Sequence, residues 1–522
     1  MEFSTMSDNC DKKEFGDYQT PVRFALDVCK FLHNELHLEP EIILEPTAGI
    51  GNFIYASLQN FNKIKKIHAV EIKREYVEDC KSNIKDDRIE ILNENFFSYK
   101  YRGDTSKEIL IIGNPPWATN ANLKRNLPNK TNLKRLSGIE AITGASNFDI
   151  CEYIILKVLN DFKNTNATIA MLCKTSVARN IVEYVFQKKF NVSLLKILNF
   201  NAKKIFNVSA SACLLVIKLS KETLEKLSCN ISSFYSPAHV LEEITYTNKV
   251  LKNSNIENSE LMGDSQLEWR QGVKHDCASI MELSMLGKGR YLNKKGDILE
   301  LEDNFVFPLI KSSAIKTPLI CDKFEKFVIV TQKKPRSDTS CIKNIAPLTW
   351  DYLRKNRAFF SKRKSTIYKG APDFSMFGVG IYSYSKYKVG ISGFYKKPLF
   401  SLIYNKSNTD IPVMMDDTAY FLSFDEYDVA YVCMLLLNSD KVSNLLHSIS
   451  FEDAKRPYTK KVLKNIDLLK CAQKISFSML KDVEKKLGLK EKCLKSNYEN
   501  FFDFIKKKSL ISQSELNLDC KR

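Results

Sequence analysis

The chain has 522 residues, is 44% hydrophobic, and carries 79 Lys and Arg against 61 Asp and Glu, a formal charge of +18. That length and apolar content exclude wholesale disorder and leave room for two or three folded units. The cationic excess favours a polyanionic partner, because each phosphate neutralised releases condensed counterions; coding bias towards Lys and Asn would produce the same excess. Fourteen Cys with no CxxC pair exclude zinc ribbons and thioredoxin-type sites and fit a reducing cytosol. No apolar run reaches the roughly 18 residues of a membrane span. The polar start, Met1 to Phe15, is unlike a secretory leader. The chain therefore reads as cytoplasmic, with no membrane partner.

Thr20-Pro21 predicts a capped helix start, and Val22, Leu26, Cys29, Leu32 and Leu36 follow at helical spacing. Ile42 to Leu44 is a short apolar run ending at Glu45-Pro46, the length of a buried strand. A helix from about Asn52, a strand Ile67 to Ile72, a helix Arg74 to Ile84, and strands Ile89 to Leu92 and Ile109 to Gly113 come next. Helix Phe148 to Phe162, strand Thr168 to Cys173 and helix Ser176 to Lys188 continue the alternation. This order predicts a Rossmann-like, mostly parallel sheet, with ligands beyond the carboxyl ends of its strands. The apolar runs Leu194 to Leu198 and Ala212 to Leu219 predict an antiparallel hairpin that closes the sheet.

Three motifs fall at strand ends. Glu45-Pro46-Thr47-Ala48-Gly49-Ile50-Gly51 leads through a glycine turn into a helix. With Ile at position 54 it fails the GxGxxG dinucleotide pattern, and an acid before the turn suits a cationic, zwitterionic ligand; a tight βα turn reads the same way. Glu71 closes the next strand, where a carboxylate can take both hydroxyls of a ribose. Gly113-Asn114-Pro115-Pro116-Trp117 is the sharpest signal. Two prolines remove two donors and force the chain out of the α region, so the Asn114 side-chain oxygen and the Pro115 carbonyl converge as free acceptors beside an aromatic ring. Two acceptors for an exocyclic amine and a ring to stack on its heterocycle make a pocket for a flipped base.

Phe15-Gly16-Asp17-Tyr18-Gln19-Thr20-Pro21, the glycine turn, Glu71 and Asn114-Pro115-Pro116-Trp117, in that order, resemble the gamma-class N6-adenine DNA methyltransferases of type II restriction-modification systems, of the Taq adenine-methyltransferase type. The resemblance covers residues 15–220 well and the rest loosely. It implies a class I S-adenosylmethionine-dependent methyltransferase domain. Thr20 and Pro21 would cover the methionine part of S-adenosylmethionine, Glu45, Ala48 and Gly49 its amino acid, Glu71 the ribose, and Ile72 the adenine ring. Tyr18, Pro46, Gly51, Asn95, Phe96 and Asn114 complete the implied cofactor set, with Asn95 where the family usually has an acid. Asn114, Pro115, Pro116 and Trp117 would be catalytic; Trp117 and Phe206, from Lys204-Ile205-Phe206-Asn207, would stack on the target base. Asn147-Phe148-Asp149-Ile150 resembles the family's segment bordering the site. Neither a catalytic Cys nor a metal is expected.

His33 and His37, four apart, lack a third ligand and read as surface histidines. The short stretch before Phe15 leaves no room for a cleavage domain, so the expected partners are double-stranded DNA and a separately encoded endonuclease acting on the same site, with the chain a monomer in a prokaryotic cytoplasm. The expected boundaries are a catalytic domain at 15–220 with a mobile basic insertion at 118–146, a mixed α+β target-recognition domain at 221–470, and a helical tail at 471–522. In the second domain Phe305 to Lys311, Phe327 to Thr331, Lys386 to Ser392 and Leu399 to Tyr404 predict strands. Cations among aromatics between Trp350 and Lys369, together with Asp453 to Tyr458, nominate Arg354, Arg357, Lys362, Arg363, Lys364, Lys455 and Arg456 as DNA contacts; a solvated basic helix reads the same. The alternatives are N4-cytosine in DNA, ribosomal RNA or a protein glutamine as acceptor, or a non-catalytic nucleic-acid-binding subunit.

Overall fold

A computed structural model describes residues 18–118, 149–222, 227–254, 259–451, 454–490 and 493–519. The chain divides into two compact units, residues 1–255 and 256–522.

In the first unit, helix α1 (Val22–Leu36) buries Phe24, Ala25, Val28, Cys29, Phe31 and Leu32, the stripe its spacing dictates. Strands β1 (Ile42–Glu45), β2 (Lys66–Glu71), β3 (Ile89–Asn93), β4 (Ile109–Gly113) and β5 (Thr168–Lys174) are parallel and alternate with α2 (Asn52–Asn60), α3 (Arg74–Asn83), α4 (Ile150–Asp161) and α5 (Thr175–Gln187). β1, β4 and the first six residues of β5 are fully buried, as strands covered on both faces must be. β6 (Val192–Asn201), the one-turn α6 (Ala202–Phe206) and β7 (Ser211–Leu219) follow. β7 slots between β5 and β6, antiparallel to both, and forms the expected hairpin with β6.

The sheet runs past the expected boundary at residue 220. β8 (Cys229–Ser233), β9 (Ser236–Thr247) and β10 (Val250–Asn253) extend it, giving the order β10-β9-β8-β6-β7-β5-β4-β1-β2-β3. These added strands are short or half exposed, so their sequences carry no buried-strand pattern. Thr20 also departs from expectation: the helix begins at Val22, Pro21 is its N-cap, and no side chain caps it.

The second unit is mixed α+β. A five-stranded sheet has the spatial order Arg270–Gln271, Ala419–Phe424, Tyr387–Ser392, Phe400–Ile403, Leu319–Ile320. A six-stranded sheet runs Ile298–Glu300, Arg290–Asn293, Glu282–Gly287, Phe327–Ile329, Val306–Ile310, Met414–Met415. Helix Tyr427–Leu437 is buried almost all round and packs on the helix Lys495–Asp519, whose Phe501 and Ile505 are fully buried. Cys493, Phe501 and Ile505, within the stretch expected as a helical tail, thus belong to this core. Among the described residues no helix is long and apolar enough to cross a membrane.

Candidate active site

The chain leaves β1 towards β2 on one side and returns to β4 on the other, which opens a crevice at the carboxyl ends of these strands. A cavity of about 250 Å³ lies there. Its wall includes Tyr18, Thr20, Glu45, Pro46, Ala48, Gly49, Glu71, Ile72, Asn95, Phe96, Asn114 and Pro116, so residues from five separate segments are brought together as the motifs predicted. Pro21 and Gly51 are not part of that wall.

The turn after β1 is built by glycines for two different reasons. Gly49 has φ 53°, and a Cβ there would meet the Gln19 side chain at 2.4 Å, so the amide of the Gln-Thr-Pro motif occupies the space the glycine leaves. Gly51, at φ 89°, instead admits Cys80 and Ile84 at the end of α3; it serves packing, which is why it stands away from the cavity.

Glu71 is fixed by two backbone donors, the N–H of Gly49 to Oε2 and of Lys73 to Oε1, both at 2.8 Å. The two bonds hold the carboxylate at the cavity wall, where a ribose hydroxyl can approach it. Glu45 lies 2% exposed at the end of β1, and its Oε2 has no hydrogen-bond partner among the described residues. Burial, reinforced by the Glu71 carboxylate, pushes the Glu45 carboxyl well above the usual range. A cation brought to this oxygen would favour the charged form that burial disfavours. Exposed Ile72, with Phe96 and Phe97, supplies apolar wall for a flat base.

Asn114 settles its own orientation. Its Nδ2 donates to the Tyr18 carbonyl at 2.7 Å, so the side-chain oxygen is the free end, and Oδ1 is buried without a partner among the described residues. Trp117 is 6% exposed, anchored by its indole N–H to the Leu172 carbonyl at 3.4 Å. Its ring lies 5.3 Å from Phe206 at 66° and 6.0 Å from Tyr18. Phe206 is backed by Phe24 and Phe200. The two rings nominated for stacking are therefore neighbours.

Asn95 uses its side-chain oxygen to accept the Phe97 N–H at 3.0 Å, as an Asx turn does. That bond fixes the side chain at the cavity wall. Sequence reading missed Lys73, Tyr76 and Phe53 on the wall, which carry no local pattern, and it missed Lys174. Lys174, the last residue of β5, donates to the Trp117 carbonyl at 2.9 Å and to Asp149 Oδ2 at 2.8 Å. Asn147, Phe148 and nearly all of the basic insertion lie outside the described residues.

The nominated DNA contacts are all in the second unit and divide sharply. Arg354, Arg357, Lys362, Lys364 and Lys455 are exposed. Arg363 is not available: its guanidinium donates to the carbonyls of Phe360, His275 and Ser375 and lies 3.7 Å from the Tyr368 ring centroid. Arg456 lies half-buried over the Phe394 ring, at 4.7 Å. Of the interleaved aromatics, Tyr352 and Phe360 are core, Trp350 packs on that core, and Phe359 is exposed. Their helical spacing marks a buried face more than a stacking platform.

No family model matches the chain. It is 38% identical over 476 residues, 88% of this chain and 97% of the relative, to the type II methyltransferase M.NspV of Nostoc sp. (strain ATCC 29411 / PCC 7524). Among solved structures, a type ISP restriction-modification enzyme, LlaBIII, bound to DNA matches with a TM-score of 0.40 and 12% identity over 77% of this chain and 33% of that one. A type I restriction-modification methyltransferase subunit from Streptococcus thermophilus matches with a TM-score of 0.30 and 12% identity over 41% and 47%. At such scores neither likeness carries weight. The strand order with its inverted β7, and the cavity at the switch point, define a class I S-adenosylmethionine-dependent methyltransferase. Within that class the chain belongs to the type II methyltransferases, the family of M.NspV. Glu45 Oε2, buried without a hydrogen-bond partner among the described residues, fits the ammonium of S-adenosylmethionine, and the tethered Glu71 fits its ribose.

Proposed function

We propose that this methyltransferase modifies DNA within a restriction-modification system, placing its methyl group on N6 of an adenine turned out of the duplex against Asn114 and Trp117. One observation carries the reading: the Asn114 amide is held by Tyr18 with its oxygen turned away, a buried acceptor with no donor among the described residues. An exocyclic amine supplies the missing donor.

Bound S-adenosylmethionine supplies an activated, positively charged methyl. The chain's part is geometric. The N6 lone pair of adenine is delocalised into the ring, so the nitrogen is a poor nucleophile. Hydrogen bonds from the amine to Asn114 Oδ1 and the Pro115 carbonyl draw it towards tetrahedral geometry and localise that pair. Trp117 and Phe206 fix the plane of the base. Glu45 and Glu71 hold the opposite reactant in line, and the buried setting strips water from both. The exposed cations Arg354, Arg357, Lys362, Lys364 and Lys455 are assigned to the DNA backbone, and the second unit to target recognition. The implied partner is an endonuclease specific for the same sequence.

Labelled S-adenosylmethionine, unmethylated genomic DNA and sequencing of the modified positions test this. N6-methyladenine at one short motif is expected, falling about 1,000-fold with Asn114→Ala. Label on cytosine, RNA or protein overturns the acceptor assignment.

A further inference from the structure

Lys174 has no place in the motifs and is not part of the cavity wall, yet it meets the catalytic turn directly. The turn cannot hold itself. Pro115 and Pro116 have no N–H, so the segment lacks two of the donors by which a loop ordinarily ties itself to its neighbours. The Trp117 carbonyl is held from outside, by the Lys174 ammonium at 2.9 Å. The same ammonium binds Asp149 Oδ2 at 2.8 Å. Asp149 is 8% exposed, and its other oxygen accepts the Cys151 N–H, capping α4. A backbone bond from Ile150 N–H to the Ala118 carbonyl, 3.1 Å, runs alongside. One cation at the end of β5 therefore joins the Trp117 backbone to the cap of α4 at Asp149. Charge-assisted bonds of this length, to partners this buried, constrain position more tightly than neutral ones.

We infer that Lys174 is a positioning residue for methyl transfer: by bridging the Trp117 carbonyl and the Asp149 carboxylate it fixes the Asn114–Trp117 turn, and with it the acceptor pocket, without taking part in cofactor binding. The inference rests on the reading of that turn as the acceptor site. It does not depend on which base is methylated.

Lys174→Met, Lys174→Arg and the charge-neutral double variant Lys174→Met/Asp149→Asn test it in the full-length protein. Turnover on DNA is measured with the wild type's own substrate, and S-adenosylmethionine affinity by calorimetry. Lys174→Met is expected to lower kcat at least tenfold while the cofactor Kd stays within twofold, and Lys174→Arg to restore most of the rate. The double variant leaves no buried charge unpaired and so folds even where Lys174→Met does not; it is expected to stay slow, because the Trp117 carbonyl still lacks its donor. Wild-type kcat in the double variant overturns the inference. So does a cofactor affinity that falls in step with the rate, which marks a general loss of structure. A wild type that transfers no methyl to DNA fails the functional reading instead, and is recognised before any variant is made.

Discussion

The two units treat buried charge in opposite ways. In the second unit, Glu282 (3% exposed) is flanked by the ammonium groups of Lys294 at 2.6 Å and Lys311 at 2.7 Å, and Lys311 reaches on to Asp416 at 3.5 Å. Burial would raise the Glu282 carboxyl, but the two ammonium groups hold it below the usual range. His275 beside it is pushed by burial down to about 4, so it is neutral at physiological pH. In the first unit, Glu45 Oε2, Thr47 Oγ1 and Asn114 Oδ1 are buried around one cavity with no partner among the described residues. A buried carboxylate whose charge is met by two ammonium groups of its own unit is scaffold. Polar atoms left open together mark where something else must come to satisfy them.

Breaking a pair in the second unit tests the contrast most severely. Lys311→Met leaves Glu282 and Asp416 short of a countercharge and is expected to destabilise that unit by about 3–5 kcal/mol in urea unfolding. An unchanged midpoint would show that Lys294 alone suffices.

Glu45→Gln should do the reverse. Cofactor affinity is expected to fall on the order of 100-fold by calorimetry, the cost of deleting one partner of a buried charge pair. The cofactor-free protein should gain roughly 1–2 kcal/mol at pH 7. The sign follows from linkage. Glu45 holds its proton more tightly when folded, so its favourable contribution is full below the unfolded pKa, about 4.3, and is lost as pH rises through the higher folded value. The gain from Glu45→Gln should therefore vanish near pH 4. Thermal denaturation across pH 4 to 8 measures it, and a variant less stable than wild type at pH 7 would give Glu45 a partner of its own.

The smallest effect belongs to the exposed cations. Arg357 pairs with Asp373 at 2.9 Å, both largely exposed, and Arg354 with Asp351 at 3.8 Å. Arg354→Ala and Arg357→Ala should each leave stability within about 0.5 kcal/mol. If these residues contact phosphates, each should lower the slope of log affinity against log salt by about 1. An unaltered slope removes them from the DNA surface.

The core of the first unit was legible because parallel strands buried on both faces are written as short, unbroken apolar runs between turns, as in Ile42–Glu45 and Ile109–Gly113. β9 was not: most of its residues are at least partly exposed, and nothing in Ser-Pro-Ala-His-Val-Leu distinguishes such a strand from a loop. The same divide runs through the site. Glu45, Glu71 and Asn114 stand at strand ends inside recognisable local patterns. Lys174 acts on Trp117 from 57 residues away, and no local pattern encodes a contact between neighbouring strands. Around residue 360 the composition was right and the direction was not. Alternating Arg, Lys, Phe and Tyr record which residues are present, whereas the turn of the helices decided that Phe360 faces inward and Arg354 outward, and backbone carbonyls beyond the helix end drew Arg363 in.

The place of β7 in the sheet also has a consequence in time. β5 is finished at Lys174, but the strand that pairs with its open side ends only at Leu219, 45 residues later. At ~5–20 residues per second, a nascent chain carries that apolar edge unpaired for roughly 2–9 s. During that interval β6, made first, is the strand at hand to pair wrongly with it. Slower synthesis lengthens the exposure, so production of soluble protein should depend on how quickly residues 175–219 leave the ribosome.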